Sequence, residues 1–280
     1  MCPARDYSLA VNARSALFDL YGDHLRARGS QAPVAALVRL LAPLGITEPA
    51  VRTAVSRMVR QGWLVPVKLA GGPGYALTPR AGRRLDEAAD RIYRRDGAEW
   101  DGHWHVTVCE RIRERARRDR VRAALRYLGY APLTETTWIS PRPSVELGAL
   151  LDSEGVTAAR FRATYDGDAG ALLAHAWDLD GLARDYQRWL ALAAGLLGSA
   201  RPGAPDEEIF SLRSTLVHDW RKFLFRDPGL PASLLPASWP GHEAARLFHA
   251  ESARLLPAAA RFVDCCLSDG CHGPAGTHPH

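Results

Sequence analysis

The stretch from Thr47 to Arg60, TEPAVRTAVSRMVR, decides the fold of this chain. Thr47 is a favourable N-cap residue, proline is tolerated in the first turn, and Gly62 is placed to end the helix that this stretch predicts. The apolar residues fall at i, i+4, i+7 and i+8 and so form one buried stripe, made of Val51, Val55, Met58 and Val59. The opposite side is cationic and hydroxylic, without an acid between positions 49 and 60, and carries Arg52, Thr53, Ser56, Arg57 and Arg60.

The neighbouring segments extend this helix into a larger pattern. Two predicted helices precede it, at about residues 13–25 and 31–42, with Ser30 as a cap for the second. Two short apolar runs follow, on either side of the glycine-rich turn Ala70–Gly74, and predict a hairpin. A further helix is predicted to start at Thr78. Three helices, a hairpin and another helix are the order of a winged helix-turn-helix, in which the third helix enters the DNA major groove.

The exposed side of the central helix has the chemistry of a DNA-reading surface. Arginines suit guanine edges and phosphates, hydroxyls suit phosphates and bases, and a helix N-terminus can bind a phosphate. A solvated basic face on an ordinary helix is the alternative, but the surrounding helices and hairpin favour DNA binding. The predicted DNA-binding residues are Thr47, Arg52, Thr53, Ser56, Arg57, Arg60 and, on the wing, Lys68.

A second pattern begins at Trp104. Alternating strands and helices then follow in the order β-α-β-β-α-β, which predicts a ferredoxin-like domain. Its expected elements are a strand at 104–109, a helix around 121–128, strands at 130–133 and 137–140, a helix at 145–151 and a strand at 161–165. The rest of the chain is predicted to be helical, at about 169–176, 179–197, 206–225 and 242–267.

Charge is distributed unevenly along the 280 residues, whose net charge is +5. Residues 1–126 contain 23 Lys and Arg against 13 Asp and Glu, whereas residues 127–280 contain 13 against 18. A basic front half indicates a polyanionic partner for that half alone. We predict a cytoplasmic protein with no membrane association, because no apolar run approaches ~18 residues, no secretion signal is present and the five cysteines are unevenly spaced.

Several longer motifs are found, one after another, along nearly the full length of the chain. They include ALFDLYGD at 16–23, AVRTAVSRMV at 50–59, YALT at 75–78, WDGHW at 100–104, WISP at 138–141, AWDL at 176–179 and FRDP at 225–228. Together these motifs resemble the PaaX-like repressors, which regulate operons of phenylacetic acid catabolism. The turn at residues 69–74 and the tail beyond residue 267 depart from the family pattern, the turn by being unusually rich in glycine.

The resemblance implies an α+β, mainly α protein. We expect a winged helix-turn-helix domain at 1–96, a ferredoxin-like, Cas2-like domain at 100–166 and a helical C-terminal domain at 167–268, while composition predicts a disordered tail at 269–280. The resemblance also implies a homodimer that binds double-stranded operator DNA and leaves it when an aryl-CoA thioester, typically phenylacetyl-CoA, binds. It implies a regulator that is not an enzyme and needs no cofactor.

An effector site is expected where cations for a CoA phosphate meet aromatic rings for an acyl group. The back half offers one candidate set, namely Trp177, Arg213, His218, Arg221 and Arg226. Core aromatic residues with surface arginines explain the same set equally well, so both interpretations stay open.

Rival functions have weaker support in the sequence. A Cas2-like, metal-dependent nuclease fused to a DNA-binding domain needs paired carboxylates, whereas only Glu110 follows the first central strand. His218 and Asp219 lie downstream of serines, but no Gly-x-Ser-x-Gly motif frames a nucleophile. A winged helix that docks protein rather than DNA is a further alternative.

Metal sites are also considered and not favoured. Zinc is suggested by Cys265, Cys266, Cys271 and His272, whose spacing lacks the paired ligands of structural sites. His103 and His105 share one strand face and are more typical of structural residues. The arginines between 111 and 126 are expected to be too spread to form one stripe, and most are expected to be solvated or paired.

Overall fold

The computed structural model describes residues 12–92, 100–201 and 203–268. The chain divides into two compact units, each made of segments that are distant in sequence. The first unit comprises Met1–Tyr93, Leu192–Trp220 and Arg246–His280, and the second comprises Arg94–Ala191 and Arg221–Ala245. The division into three domains along the chain stays a prediction, because the two compact units combine segments from different parts of the sequence. The predicted fold class, α+β and mainly helical, is confirmed.

The first unit contains the predicted winged helix-turn-helix. Helix α1 (Ala13–Leu20) continues through a π-helical turn at Tyr21–Leu25 and a 3-10 turn at Arg26–Arg28. The following elements are β1 (Gln31–Pro33), α2 (Val34–Leu41), α3 (Glu48–Arg60), β2 (Leu64–Leu69), β3 (Gly72–Leu77) and α4 (Pro79–Ile92). The strands form an antiparallel sheet in the order β1-β3-β2. The hairpin of β2 and β3 is the predicted wing.

The start of the second helix differs from the prediction. Ser30 is not an N-cap; it has a left-handed backbone with φ of 57°, and the residues after it pair with β3 as strand β1. Helix α2 therefore starts only at Val34. The close pairing depends on Gly74, where a Cβ atom would lie 2.7 Å from the carbonyl oxygen of Ala32. Backbone pairing with the wing thus overrides the local capping preference of a serine.

The core of the first unit is shared between the winged helix and later helices. Leu17, Leu37 and Met58 are fully buried there. Helix α9 (Asp206–Trp220) adds Phe210 to the same core, and the end of α10 (Pro240–Leu267) adds Ala259, Val263 and Cys266. Burying a large side chain completely contributes about 1.5–3 kcal/mol. The winged helix is therefore stabilised by residues roughly 200 positions away in sequence.

The second unit contains the predicted ferredoxin-like arrangement. Its elements are β4 (Trp104–Cys109), α5 (Arg115–Tyr127), β5 (Ala131–Pro132), β6 (Thr137–Ser140), α6 (Leu147–Ser153) and β7 (Ala158–Ala163). The antiparallel sheet has the order β5-β6-β4-β7, with Val106 opposite both Ile139 and Phe161. The β-α-β-β-α-β prediction is thereby confirmed.

Two apolar clusters lie on this sheet. In one, α5 and α6 pack Val121, Leu125 and Leu147 with Trp138. In the other, Trp104 packs with Leu172 and Leu173 of the next helix and with Leu230. The remaining helices are α7 (Ala169–Ala176) and α8 (Leu179–Gly198), and a 3-10 turn at Arg221–Phe225 follows α9. Among the described helices, none is long and apolar enough to cross a bilayer.

Candidate nucleic-acid interface

Helix α3 is held in place by its apolar stripe. Val51 and Met58 are fully buried and Val55 is buried, as predicted, and Ala54 joins them, whereas Val59 is only partly buried. These side chains contact the core that α1 and α2 also line. The buried apolar face thus sets the orientation of α3. The polar residues lie on the opposite side of the helix, and that side faces solvent.

The predicted DNA-reading side chains are all on that solvent face. The exposed residues are Thr47, Arg52, Thr53, Ser56, Arg57 and Arg60. Thr47 has the extended backbone of an N-cap, and its side chain makes no capping hydrogen bond to the helix. The N-terminal amides of α3 therefore lack a side-chain partner at the cap, and a helix N-terminus of this kind can bind an anion such as a phosphate oxygen.

The charge on α3 is almost entirely positive. Arg52 pairs with Glu48 one turn earlier, with 2.7 Å between Arg52 Nη2 and Glu48 Oε1, and both side chains are more than half exposed. In the described part of the chain, Arg57 and Arg60 have no ion-pair partner. Exposed pairs contribute only ~0–1 kcal/mol, so the Glu48 pair can open at little cost. The helix therefore presents three exposed guanidinium groups to a polyanion.

The wing places one further cation on the same unit. Lys68 is exposed near the end of β2, opposite Pro73 of β3, and the hairpin turns through Ala70 and Gly71. Within the described ranges Lys68 has no acidic partner. A lysine at a wing tip acts as a point charge towards the DNA backbone rather than as a reader of bases. The role of all seven residues in DNA contact stays a prediction.

Sequence reasoning missed a buried charge cluster in the same unit. Arg213 of α9 is 3% exposed and donates to both carboxylate oxygens of Asp23, which is 9% exposed. Its Nε also donates to the carbonyl oxygen of Ser252, at 2.9 Å. His218, further along α9, lies with Nδ1 2.7 Å from Asp19 Oδ2 of α1. The sequence held one sign of this buried cluster, because Asp19 and Asp23 are two acids four residues apart in an otherwise apolar segment.

His24 belongs to this cluster in its neutral form. Its Nε2 lies 3.2 Å from Asp23 Oδ2, and the ring is 2% exposed. Burial lowers the pKa of His24 from its ordinary value of 6.5 to about 4, against the opposing attraction of Asp23. The imidazole therefore acts as a buried polar ring that contacts Phe210, with ring centroids 5.4 Å apart, rather than as a second cation beside Arg213.

The predicted effector residues are divided between the two units. Arg213 and His218 lie in the first unit, where carboxylates of Asp23 and Asp19 engage them. Arg221, Trp177 and Arg226 lie in the second unit. The structure brings two of these together, since Trp177 and Arg226 line one cavity of about 400 Å³. Burial lowers the pKa of Arg221, which does not line that cavity.

The residues considered for the nuclease, hydrolase and metal-binding alternatives make contacts within the protein. Glu110 lies 3.7 Å from Arg117, and His103 Nδ1 lies 2.8 Å from the carbonyl oxygen of Asp101. Ser211 donates its hydroxyl to the carbonyl oxygen of Pro43. Across the described residues, no group of three or more His, Cys, Asp or Glu side chains is placed to hold a metal ion. Cys271 and His272, of the zinc alternative, and the tail predicted to be disordered lie outside the described residues.

The arginines between 111 and 126 do not form a single stripe. Four of them lie at i, i+3, i+7 and i+11 on one side of α5, namely Arg115, Arg118, Arg122 and Arg126. Arg117 and Arg120 lie on the side that contacts Glu154, and Arg111 and Arg113 precede the helix. The run as a whole is therefore spread over more than one face, as expected from the sequence.

A winged helix-turn-helix whose third helix turns a basic, hydroxyl-bearing face to solvent defines the winged-helix class of nucleic-acid-binding proteins. Comparison with known proteins then gives the family. The chain belongs to the PaaX-like family: residues 12–81 match the PaaX-like protein model, residues 97–170 the PaaX protein central Cas2-like domain, and residues 177–265 the PaaX-like protein C-terminal domain. The resemblance inferred from the sequence motifs is confirmed.

Two relatives extend this finding over nearly the full length. The chain is similar to the transcriptional repressor PaaX of Escherichia coli (strain K12), with 29% identity over 267 residues that cover 91% of this chain and 84% of the relative. It is also similar to the solved structure of the uncharacterized protein Rv0674 from Mycobacterium tuberculosis, with 27% identity and a TM-score of 0.62. That match covers 92% of this chain and 99% of the other.

Proposed function

We infer that this chain is a DNA-binding transcriptional repressor of an aromatic, phenylacetate-type catabolic operon. One observation supports this most directly: every polar residue predicted for DNA contact on α3 is exposed, while Val51, Val55 and Met58 of the apolar stripe are buried. The similarity to a relative named as a transcriptional repressor supports the direction of regulation. Such a protein acts in the cytoplasm, as a regulator and not as an enzyme.

Helix α3 is the element that reads the operator. Its arginines donate to guanine edges or phosphates, and Thr53 and Ser56 donate to phosphates or bases. Thr47 and the N-terminus of α3 bind one phosphate, and Lys68 contacts the backbone beside the groove. Because much of this affinity comes from phosphate neutralisation, binding is expected to weaken steeply as salt rises.

The repressor works as a homodimer on a partly palindromic site. Two copies of α3 then enter successive major grooves about 34 Å apart. Release follows when an aryl-CoA thioester such as phenylacetyl-CoA binds a state of the dimer that does not fit this spacing. An effector that bound both states equally would shift nothing, so its affinity for the free dimer has to exceed that for the DNA-bound dimer.

The experiment that tests this function is a binding titration with the DNA upstream of the chain's own operon. Arg57→Ala is expected to cost ~1–3 kcal/mol for each base that Arg57 reads, which is roughly a 5- to 150-fold weaker Kd. Arg254→Ala is the matched control, because Arg254 is exposed on α10 of the same unit and pairs only locally with Glu251. Equal affinity of the Arg57 and Arg254 variants would refute the assignment of α3 as the reading helix.

A further inference from the structure

We propose that the cavity beside the start of α8 binds the phosphate-bearing acyl ligand that releases the protein from DNA. The effector cavity, as we call it, has a volume of about 400 Å³ and is bordered by Trp177, Leu182, Arg184, Arg188, Arg226 and Pro228. Residues from two motifs whose first residues are 49 positions apart, AWDL and FRDP, meet at its wall. The identity of the ligand as an acyl-CoA rests on the proposed function; the place and chemistry of the site rest on the residues themselves.

The lining of the effector cavity carries a surplus of positive charge. Three arginines and two aspartates line it, and Asp178 is occupied in capping α8 through a 2.8 Å hydrogen bond from Gly181 N. The other carboxylate, Asp185, is 14% exposed and accepts from both Arg188 and Arg226. We call the three arginines the cationic rim of the cavity, and their charge exceeds that of the two lining carboxylates. An anionic ligand would offset this excess.

Arg184 adds a cation that no acid compensates. Its side chain is exposed on α8, one residue before Asp185, and it has no ion-pair partner among the residues that the structure describes. Arg188 and Arg226 are themselves 53% and 47% exposed. Arginine is the side chain best suited to bind phosphate with two parallel hydrogen bonds, so this rim fits the phosphates of a nucleotide-type ligand.

The lining of the effector cavity also includes apolar residues and a flat ring. Trp177 is half-buried and stacks on Trp104, with ring centroids 6.1 Å apart and an interplanar angle of 26°. Leu182, which is buried, and Pro228 border the same space. A ligand that carries both phosphates and an apolar acyl group can contact the arginines and the apolar residues at once.

The wall that presents Arg226 and Pro228 is held rigidly. Asp227, between them, accepts a hydrogen bond from the Tyr186 hydroxyl and another from Gly229 N, at 2.7 Å. Tyr186 is in turn stacked on Phe223, with ring centroids 4.1 Å apart. Because the wall is ordered before a ligand arrives, little conformational entropy is lost on binding.

The volume limits which part of the ligand enters. Small-molecule sites span roughly 300–1,000 Å³, so a cavity of about 400 Å³ holds an acyl group and part of its carrier arm, while the phosphates stay at the cationic rim. A free aromatic carboxylate would contact only the apolar residues and would use one cation at most. We therefore expect the thioester to bind and the free acid to bind far more weakly.

The test is calorimetry on the full-length chain with phenylacetyl-CoA, CoA and phenylacetate as separate titrants. Arg184→Gln removes one positive charge at the rim, and Gln187→Glu makes the same change of charge on an exposed residue of α8 that does not line the cavity. We expect Arg184→Gln to weaken phenylacetyl-CoA binding about tenfold or more, and Gln187→Glu to change it less than about twofold. Neither residue is buried, so both variants are expected to fold.

The outcomes separate this proposal from the proposed function. If phenylacetyl-CoA binds the unaltered chain and Arg184→Gln binds it equally well, the effector stands and the effector cavity is refuted. If none of the three titrants binds while operator binding is intact, both the effector and the cavity are refuted and the DNA-binding role stands. If phenylacetate binds as tightly as the thioester, the phosphate-binding role of the rim is refuted.

Discussion

Helix α3 and the junction of α1 with α9 both carry arginines, in opposite surroundings. On α3, Arg57 and Arg60 are exposed and, within the described residues, have no acidic partner. At the α1–α9 junction, Arg213 is 3% exposed and is held by Asp23 and by the carbonyl oxygen of Ser252. The same side chain is therefore kept available for a partner in one place and is fully engaged within the protein in the other.

The difference shows how a basic protein separates recognition from stability. A buried guanidinium needs an acid and further acceptors, because removing a charge from water costs several kcal/mol. An exposed guanidinium stays hydrated and contributes little to stability until a phosphate or base replaces its water. Mutations in the two regions are thus expected to affect different measurements, and three experiments test this difference.

The largest effect is expected for Arg213→Met. This change leaves the carboxylate of Asp23 buried without its cation and is expected to destabilise the protein by ~3–5 kcal/mol. Unfolding in urea measures the loss, and Arg254→Met, at an exposed pair, is the control, with an expected change below ~1 kcal/mol. A loss of similar size in both variants would show that burial does not distinguish these arginines. Adding Asp23→Asn to Arg213→Met is expected to restore part of the stability.

An intermediate effect is expected from pH acting on His24. Burial lowers the pKa of His24 in the folded chain to about 4. Below pH ~6.5 the unfolded chain therefore binds a proton at this residue, whereas the folded chain does not bind it until the pH approaches 4. Stability from this residue is thus complete above pH ~6.5 and is lost as the pH falls towards 4, at up to ~1.4 kcal/mol per pH unit. The free energy of unfolding of His24→Gln is expected to fall less steeply over this range. His175→Gln, at an exposed histidine, is expected to keep the steep dependence, and a shallow dependence in that control would contradict the assignment.

The smallest effect is expected for Lys68→Ala on the wing. Removing one phosphate-binding charge is expected to weaken binding to operator and unrelated DNA alike and to reduce the slope of log K against log salt by about 1. The free energy of unfolding is expected to change by less than ~0.5 kcal/mol, since Lys68 is exposed. Affinity measured at several salt concentrations provides the slope. A weakening confined to the operator would instead indicate that Lys68 reads bases.

Local patterns predicted the individual elements well. Capping residues and glycines predicted the limits of α3 and the hairpin of β2 and β3, and period-2 alternation predicted strand β6. These signals act over a few residues. Local patterns failed at Ser30, where pairing with β3 outweighs capping. They also could not show that Arg213 contacts Asp23, 190 positions earlier, because a helical spacing carries no information on contacts between distant segments.

The amino-acid sequence was enough to predict the class of fold, the exposed basic face of α3 and the family, because each is encoded in short-range periodicity or in contiguous motifs. The packing of α9 and the end of α10 into the core of the winged helix, and the shared cavity of AWDL and FRDP, became visible in the three-dimensional structure. Buried contacts between distant segments depend on how whole elements pack, and a local pattern does not encode that packing. Burial then places one arginine in the interior and leaves another exposed to solvent, a distinction that residue type alone does not make.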